Sequence, residues 1–186
     1  FDHKLREYSE AETVVIGSFD VDGLKTVNDM LGHRYGDDLL LRTSRLLKRA
    51  SPEESVLCRV GGDEFVGIYP DCDEKSLALI KEKLETELVA EREGANDIPP
   101  LHVSYGFAAR KTREEKMEDV LKRADDAMYR LKRANGERVR DELFGRLGKN
   151  ETSQTIELQA LVKRYAQEYP DFKVHEERAL LFAKYK

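Results

Sequence analysis

The sequence predicts an α+β fold, a sheet with helices on its faces. Three observations lead there. Apolar periodicity alternates along the chain in the order β-α-α-β-β-α-β-α-β. Val14-Val15-Ile16-Gly17-Ser18-Phe19-Asp20 is apolar on both parities, which suits a strand covered on both sides. Two short strand-like runs, Val56–Val60 and Phe65–Tyr69, flank Gly61-Gly62-Asp63-Glu64, the pattern of an antiparallel hairpin with positive φ expected at both glycines.

The elements follow in order. Phe1–Tyr8 has the character of a helix tail. After the first strand, Leu24–Leu31 reads as a helix closed by Gly32, a residue suited to a left-handed cap. A second helix is expected from Asp37 to about Ala50, with Leu39, Leu40, Thr43, Leu46 and Leu47 as its buried stripe. Ser51-Pro52 ends it, and the hairpin comes next. Asp71-Cys72-Asp73 opens a third helix reaching about Arg92, with Leu77, Ile80, Leu84 and Leu88 on one face. Gly94–Pro100 is loop-like; Leu101, Val103, Tyr105 and Phe107 then alternate as a strand does. A fourth helix is expected from Arg113 or Glu114, carried by Met117, Val120, Leu121, Ala124, Met128 and Leu131, and Arg138–Asp141 as a short closing strand. Gly145–Asn150 reads as a linker. Beyond it, Leu158, Leu161, Val162, Tyr165 and Tyr169 are spaced for a helix ending at Pro170, and Asp171 caps another through Tyr185. The expected division is therefore a domain over residues 1–143 and a helical extension over residues 144–186.

Composition narrows the class. The chain has 186 residues, 40% hydrophobic and 37% charged, enough for one core with a charged surface and an appendage. A net charge of -5 argues against a nucleic-acid-coating protein, whose footprint is basic. No apolar stretch approaches the roughly 18 residues of a membrane span, and no signal peptide opens the chain. Cys58 and Cys72 make no disulfide framework, so a cytoplasmic setting is expected.

The chemistry gathers at the ends of the strands. The glycine turn lets a ligand approach the backbone, and Asp63 and Glu64 beside it are hard oxygen donors. Alone, such a turn reads more readily as an exposed hairpin tip with solubilising acids. Asp20 adds weight, because an acid ending a buried strand is costly unless paired or metal-bound. Asp20-Val21-Asp22-Gly23-Leu24-Lys25, Asn28-Asp29, Gly32-His33 and Gly36-Asp37, followed by Gly61-Gly62-Asp63-Glu64-Phe65, match in order and spacing. Over Phe1–Asp141 the chain resembles the GGDEF family of diguanylate cyclases.

That resemblance implies a five-stranded, mostly antiparallel sheet like the palm of nucleotide cyclases. It implies magnesium or manganese held by Asp20, the Val21 carbonyl, Asp63 and Glu64. Asp63 is the catalytic acid by resemblance, helping to deprotonate the 3′-hydroxyl of GTP. Lys25 matches the position that stabilises charge on the transferring phosphate, and Lys132 the phosphate-binding lysine of the Ala-Met-Tyr-x-x-Lys segment. Asn28 and Asp37 match the base-reading pair, and His33 a position near the substrate. Gly61 and Gly62 belong to the substrate turn. The reaction implied condenses two GTP into cyclic di-GMP and two pyrophosphates across a homodimer. Sensory or output domains are expected beside it in the full-length protein, because the Asp-x-Leu-Thr-Gly-Leu-type segment usual before Phe1 is missing and the chain reads as a trimmed fragment.

Three departures qualify the match. Gly136 stands where a phosphate-binding arginine is expected, which favours a weakly active or inactive GTP-binding regulatory module as the rival function. Gly23-Leu24 replaces the commoner His-Phe. Pro52-Glu53-Glu54-Ser55 occupies the positions of the Arg-x-x-Asp motif that binds inhibitory product, so no inhibitory product site is expected there: proline offers no guanidinium, and the two glutamates repel an anionic dinucleotide.

Overall fold

The computed structural model describes residues 2–8, 11, 13–93 and 99–147. The elements in order are α1 (Asp2–Glu7), β1 (Val14–Val21), α2 (Leu24–Leu31), α3 (His33–Ala50), β2 (Val56–Arg59), β3 (Glu64–Pro70), α4 (Glu74–Glu93), β4 (Val103–Ala109) and α5 (Met117–Leu147). The strands form one antiparallel sheet in the order β2-β3-β1-β4. The central position of β1 explains its two-parity hydrophobicity, since every one of its residues is buried.

Each face of the sheet carries its own core. On one side Val15, Phe19, Phe65, Tyr69 and Val103 pack against α2, α3 and α4. Phe107 meets Phe19 edge-on there, with ring centroids 5.5 Å apart. On the other side Val14, Ile16, Val66, Ile68 and Ala108 pack against Leu5 of α1 and Met117, Val120 and Ala124 of α5. Gly106 of β4 lets α5 lie close, because a Cβ there would collide with the backbone at Ala124 and Met128.

Among the described residues the sheet has four strands, not five. Arg138–Asp141, expected as the closing strand, is a continuous part of α5, as are Gly145–Leu147 of the expected linker. Val139 and Leu143 are the reason. They extend the helical spacing of Ala124 and Met128 and are 4% and 1% exposed. Burying two such side chains contributes about 3 to 6 kcal/mol, which outweighs the roughly 1 kcal/mol that Gly136 costs a helix interior.

The hairpin also differs from expectation. Gly61 and Gly62 are not at positive φ; among the described glycines only Gly23 and Gly32 are. The connection is the longer loop Val60–Asp63, closed by the amides of Val60 and Gly61 donating to the Glu64 carbonyl at 2.9 and 3.3 Å. Elsewhere the boundaries move by a few residues. α3 starts at His33 rather than Asp37 because Gly32 (φ 91°) separates it from α2 with a single residue. α4 starts after Asp73, whose carboxylate accepts from Ser76 N and Oγ at 2.8 and 2.7 Å as an N-cap. β4 starts at Val103 and α5 at Met117. The helices expected between Leu158 and Tyr185 lie outside the described residues.

Among the described residues nothing lies within 4 Å of where a Cβ on Gly136 would go. The substitution Gly136→Ala is therefore expected to stabilise the domain by about 0.5–1 kcal/mol, read as a higher midpoint in urea denaturation. A loss of stability would contradict a helix at that position.

Candidate active site

The site begins where β1 runs out. Antiparallel register sets Asp20 opposite Glu64 on one side and Ser104 on the other, and directly opposed residues share a face. That face looks at α5, and Lys132 reaches across from it. Its Nζ donates to Asp20 Oδ2 at 2.6 Å. Asp20 is 4% exposed, and its other oxygen, Oδ1, is buried without a hydrogen-bond partner among the described residues. Burial pushes the Asp20 carboxyl above its ordinary range; Lys132 opposes the shift and Asp63 adds to it. Burial also works against the charge on Lys132, but Asp20, Asp63 and Asp22 together outweigh it and raise the lysine. The cluster holds more negative charge than one lysine neutralises.

The β2–β3 loop is fastened to the same place. The Val21 amide donates to the Asp63 carbonyl at 3.0 Å, so the loop and the end of β1 move as one. Arg59 closes the loop from behind, its guanidinium donating to the carbonyls of Gly61 and Gly62 at 3.2 and 2.7 Å. A Cβ on Gly61 would lie 2.5 Å from Glu64 Oε2, whereas one on Gly62 would meet nothing within 4 Å among the described residues. The loop thus leaves open room directly beside Asp63. Strand register and the Val21–Asp63 hydrogen bond thus place Asp20, Val21, Asp63 and Glu64 at the same end of the sheet.

A divalent cation fits this donor set. Asp20 Oδ1 is an orphaned hard oxygen in a cluster with surplus negative charge, and such oxygens are what magnesium prefers. Among the described residues no three His, Cys, Asp or Glu side chains converge on a single metal position. A backbone oxygen such as that of Val21 would have to join the set.

Two residues escaped the sequence reading. Ser104 Oγ lies 3.0 and 2.8 Å from the two oxygens of Asp22, to which it donates, and both residues are buried. The Asp22 amide donates to the His102 carbonyl at 3.0 Å, so β4 and the residue before it hold Asp22 by both side chain and backbone. His102 in turn lies with Nε2 3.3 Å from Glu142 of α5. Burial pushes the Asp22 carboxyl up to about 6; Ser104 opposes this, Asp20 reinforces it, and Lys132 and Arg138 oppose it. Ser104 had a faint signal, its place in an alternating strand, but only the β1–β4 register puts it beside Asp22.

The remaining residues sit at the α2–α3 corner. Gly23 starts α2 at φ 75°, where a Cβ would collide with Leu143 of α5. Asn28 is half-buried on α2 and rests against Gly36 of α3, the residue before Asp37. Lys25, His33 and Asp37 are exposed and make no side-chain hydrogen bond or ion pair with described residues. The structure therefore groups Asn28 with Asp37 at one corner and the acids with Lys132 at the end of the sheet. Gly136 lies one turn beyond Lys132 on α5, and among the described residues nothing would meet a Cβ there.

The family model for the diguanylate cyclase GGDEF domain matches residues 1–138. The chain belongs to the GGDEF family. Diguanylate cyclase DgcM of Escherichia coli K12 is 30% identical to this GGDEF chain over 120 residues, 64% of the chain and 28% of that relative. The GGDEF domain of DgcB from Caulobacter crescentus, solved in complex with c-di-GMP, has a TM-score of 0.62 and 31% identity, covering 72% of this chain and 83% of that one. Diguanylate cyclase SiaD from Pseudomonas aeruginosa, solved with its activator SiaC, has a TM-score of 0.64 and 25% identity, covering 71% and 53%. The GGDEF chain spans 14 to 28% of the length of the curated relatives it matches.

Asp22 gives the domain a distinctive pH dependence. Its folded pKa of about 6 lies above the ordinary 3.8. Between those values the folded state holds a proton that the unfolded state has lost, so stability falls as pH rises. The loss is at most about 3 kcal/mol between pH 4 and 6. Denaturation of wild type and Asp22→Asn in chelator should show this slope in the first and its reduction in the second. Parallel pH profiles would refute the assignment.

Proposed function

We propose that this chain is a diguanylate cyclase domain that condenses two GTP into cyclic di-GMP and two pyrophosphates. The observation that carries the proposal is the meeting of Asp20, Asp63 and Lys132 beside the open Gly61-Gly62 loop, in a chain of the GGDEF family. In two reciprocal steps the 3′-oxygen of each GTP attacks the α-phosphorus of the other, one bond to pyrophosphate breaks each time, and each hydroxyl proton passes to the Asp63 of one subunit. Magnesium or manganese held by Asp20, the Val21 carbonyl, Asp63 and Glu64 would supply charge neutralisation at the triphosphate.

The protein's own groups do the rest. Lys132 neutralises phosphate charge from α5, and Lys25 does so from the exposed start of α2. Gly61 and Gly62 admit the substrate to the loop. Asn28 and Asp37 read the guanine edge, with His33 at the same corner. Adenine presents an amino group where guanine has a carbonyl, which leaves these polar groups unpaired and should favour GTP strongly over ATP. Each subunit presents one GTP, so the active unit is a homodimer. Pro52-Glu53-Glu54-Ser55 forms a turn with both glutamates exposed, and it offers product no guanidinium.

Gly136 supports a second reading, a GTP-binding regulatory module with little turnover, because α5 carries no side chain one turn beyond Lys132. Incubation with GTP and magnesium or manganese, followed by chromatography of the products, separates the two. Cyclic di-GMP and pyrophosphate support the cyclase; bound, unreacted GTP supports the module.

Within the cyclase reading, Asp63→Asn is expected to lower turnover on the order of a thousandfold, since it removes several kcal/mol of charge stabilisation. Its thermal midpoint should stay near that of wild type, because Asp63 is fastened to β1 by its carbonyl rather than its side chain. Turnover near that of wild type would remove Asp63 from the reaction.

A further inference from the structure

Gly36 is buried near the start of α3, and what it faces is the side chain of Asn28 on α2. A Cβ on Gly36 would overlap Asn28 Oδ1 and lie 2.8 Å from Cγ and 3.1 Å from Nδ2. The backbone does not call for glycine here. Gly36 is in a helix and is not at positive φ, and alanine is the better helix former. What alanine would disturb is the Asn28 amide. That amide gains nothing from a hydrogen bond at Oδ1, which is buried without a partner among the described residues. An unpaired buried acceptor is unfavourable, so the position of the amide depends on the shape of the surface beneath it.

We propose that Gly36 is a specificity-determining positioning residue: its bare Cα seats the Asn28 amide in the orientation from which it reads guanine. The inference rests on the base-reading role of Asn28 and Asp37 given above. Asp37 follows Gly36 directly, so one backbone segment carries both the seat for the amide and the partner acid. A methyl group on Gly36 turns Asn28 away and leaves the backbone of Asp37 in place. The atoms that a Cβ on Gly36 would meet all belong to the Asn28 side-chain amide and none to backbone, so the side chain is what must shift.

Calorimetric titration of the 186-residue chain with GTP and with ATP tests this, using wild type, Gly36→Ala, Asn28→Ala and the double variant, with a thermal melt of each. Wild type should prefer GTP. Asn28→Ala and Gly36→Ala should each lose about tenfold of that preference, the double variant should lose no more than either, and the Gly36→Ala midpoint should equal or exceed that of wild type. Full GTP preference in Gly36→Ala beside a loss in Asn28→Ala overturns the role of Gly36 and leaves the base-reading role standing. Additive losses in the double variant, or a lowered midpoint in Gly36→Ala that Asn28→Ala does not restore, also overturn it. Equal binding of GTP and ATP by wild type, or no loss in Asn28→Ala, overturns the base-reading role and this inference with it.

Discussion

The end of β1 carries two buried carboxylates two residues apart on one face of the sheet, and much of the domain is arranged around that cost. Asp20 and Asp22 are 4% and 9% exposed. A charge taken that far from water is tolerated only when other groups replace its hydration. Lys132 does so for one oxygen of Asp20, and Ser104 and the His102 carbonyl grip Asp22 by side chain and amide. One oxygen of Asp20 is left over. A fold that meets most of the cost but leaves an acceptor beside an open glycine loop keeps electrostatic work in reserve for a ligand.

α5 links this charge balance to the core. Its first turns bury Met117, Val120 and Ala124 under the sheet, its middle supplies Lys132, and its last turns set Val139 and Leu143 against the opposite end of the structure. Leu143 lies where a side chain on Gly23 would go, so the helix that supplies the cation also supports the corner where α2 begins. The residues that would hold phosphate and those that hold the corner are thus on one rigid element. The absence of a side chain at Gly136 falls between them, on a stretch kept helical by burial of its neighbours.

The candidate site was partly legible as a linear pattern. Asp20, Asp63 and Glu64 stand out through residue type and their places at strand ends, whereas Lys132, Asn28 and Asp37 stand out only through the resemblance to the GGDEF family. The α+β class, the central place of β1 and the hairpin were equally legible, since two-parity burial and period-2 alternation are local consequences of sheet geometry. The expected fifth strand is absent among the described residues for a related reason. Arg138–Asp141 has no strong local preference, and the burial of Val139 and Leu143, decided by what lies across from them, made it helix.

Sequence alone determined which groups are present: the acids, the lysines, the two glycine-bounded turns and the apolar periods that make strands and helices. Tertiary structure decided which of them meet. Strand register put Ser104 beside Asp22 and Glu64 opposite Asp20; the approach of α5 chose Lys132 as the partner of Asp20; the packing of α2 on α3 pressed Asn28 against Gly36. The physical reason is that spacing along a chain is a local property. Pairing across a sheet or between helices depends instead on which surfaces exclude water together, and no single segment encodes that.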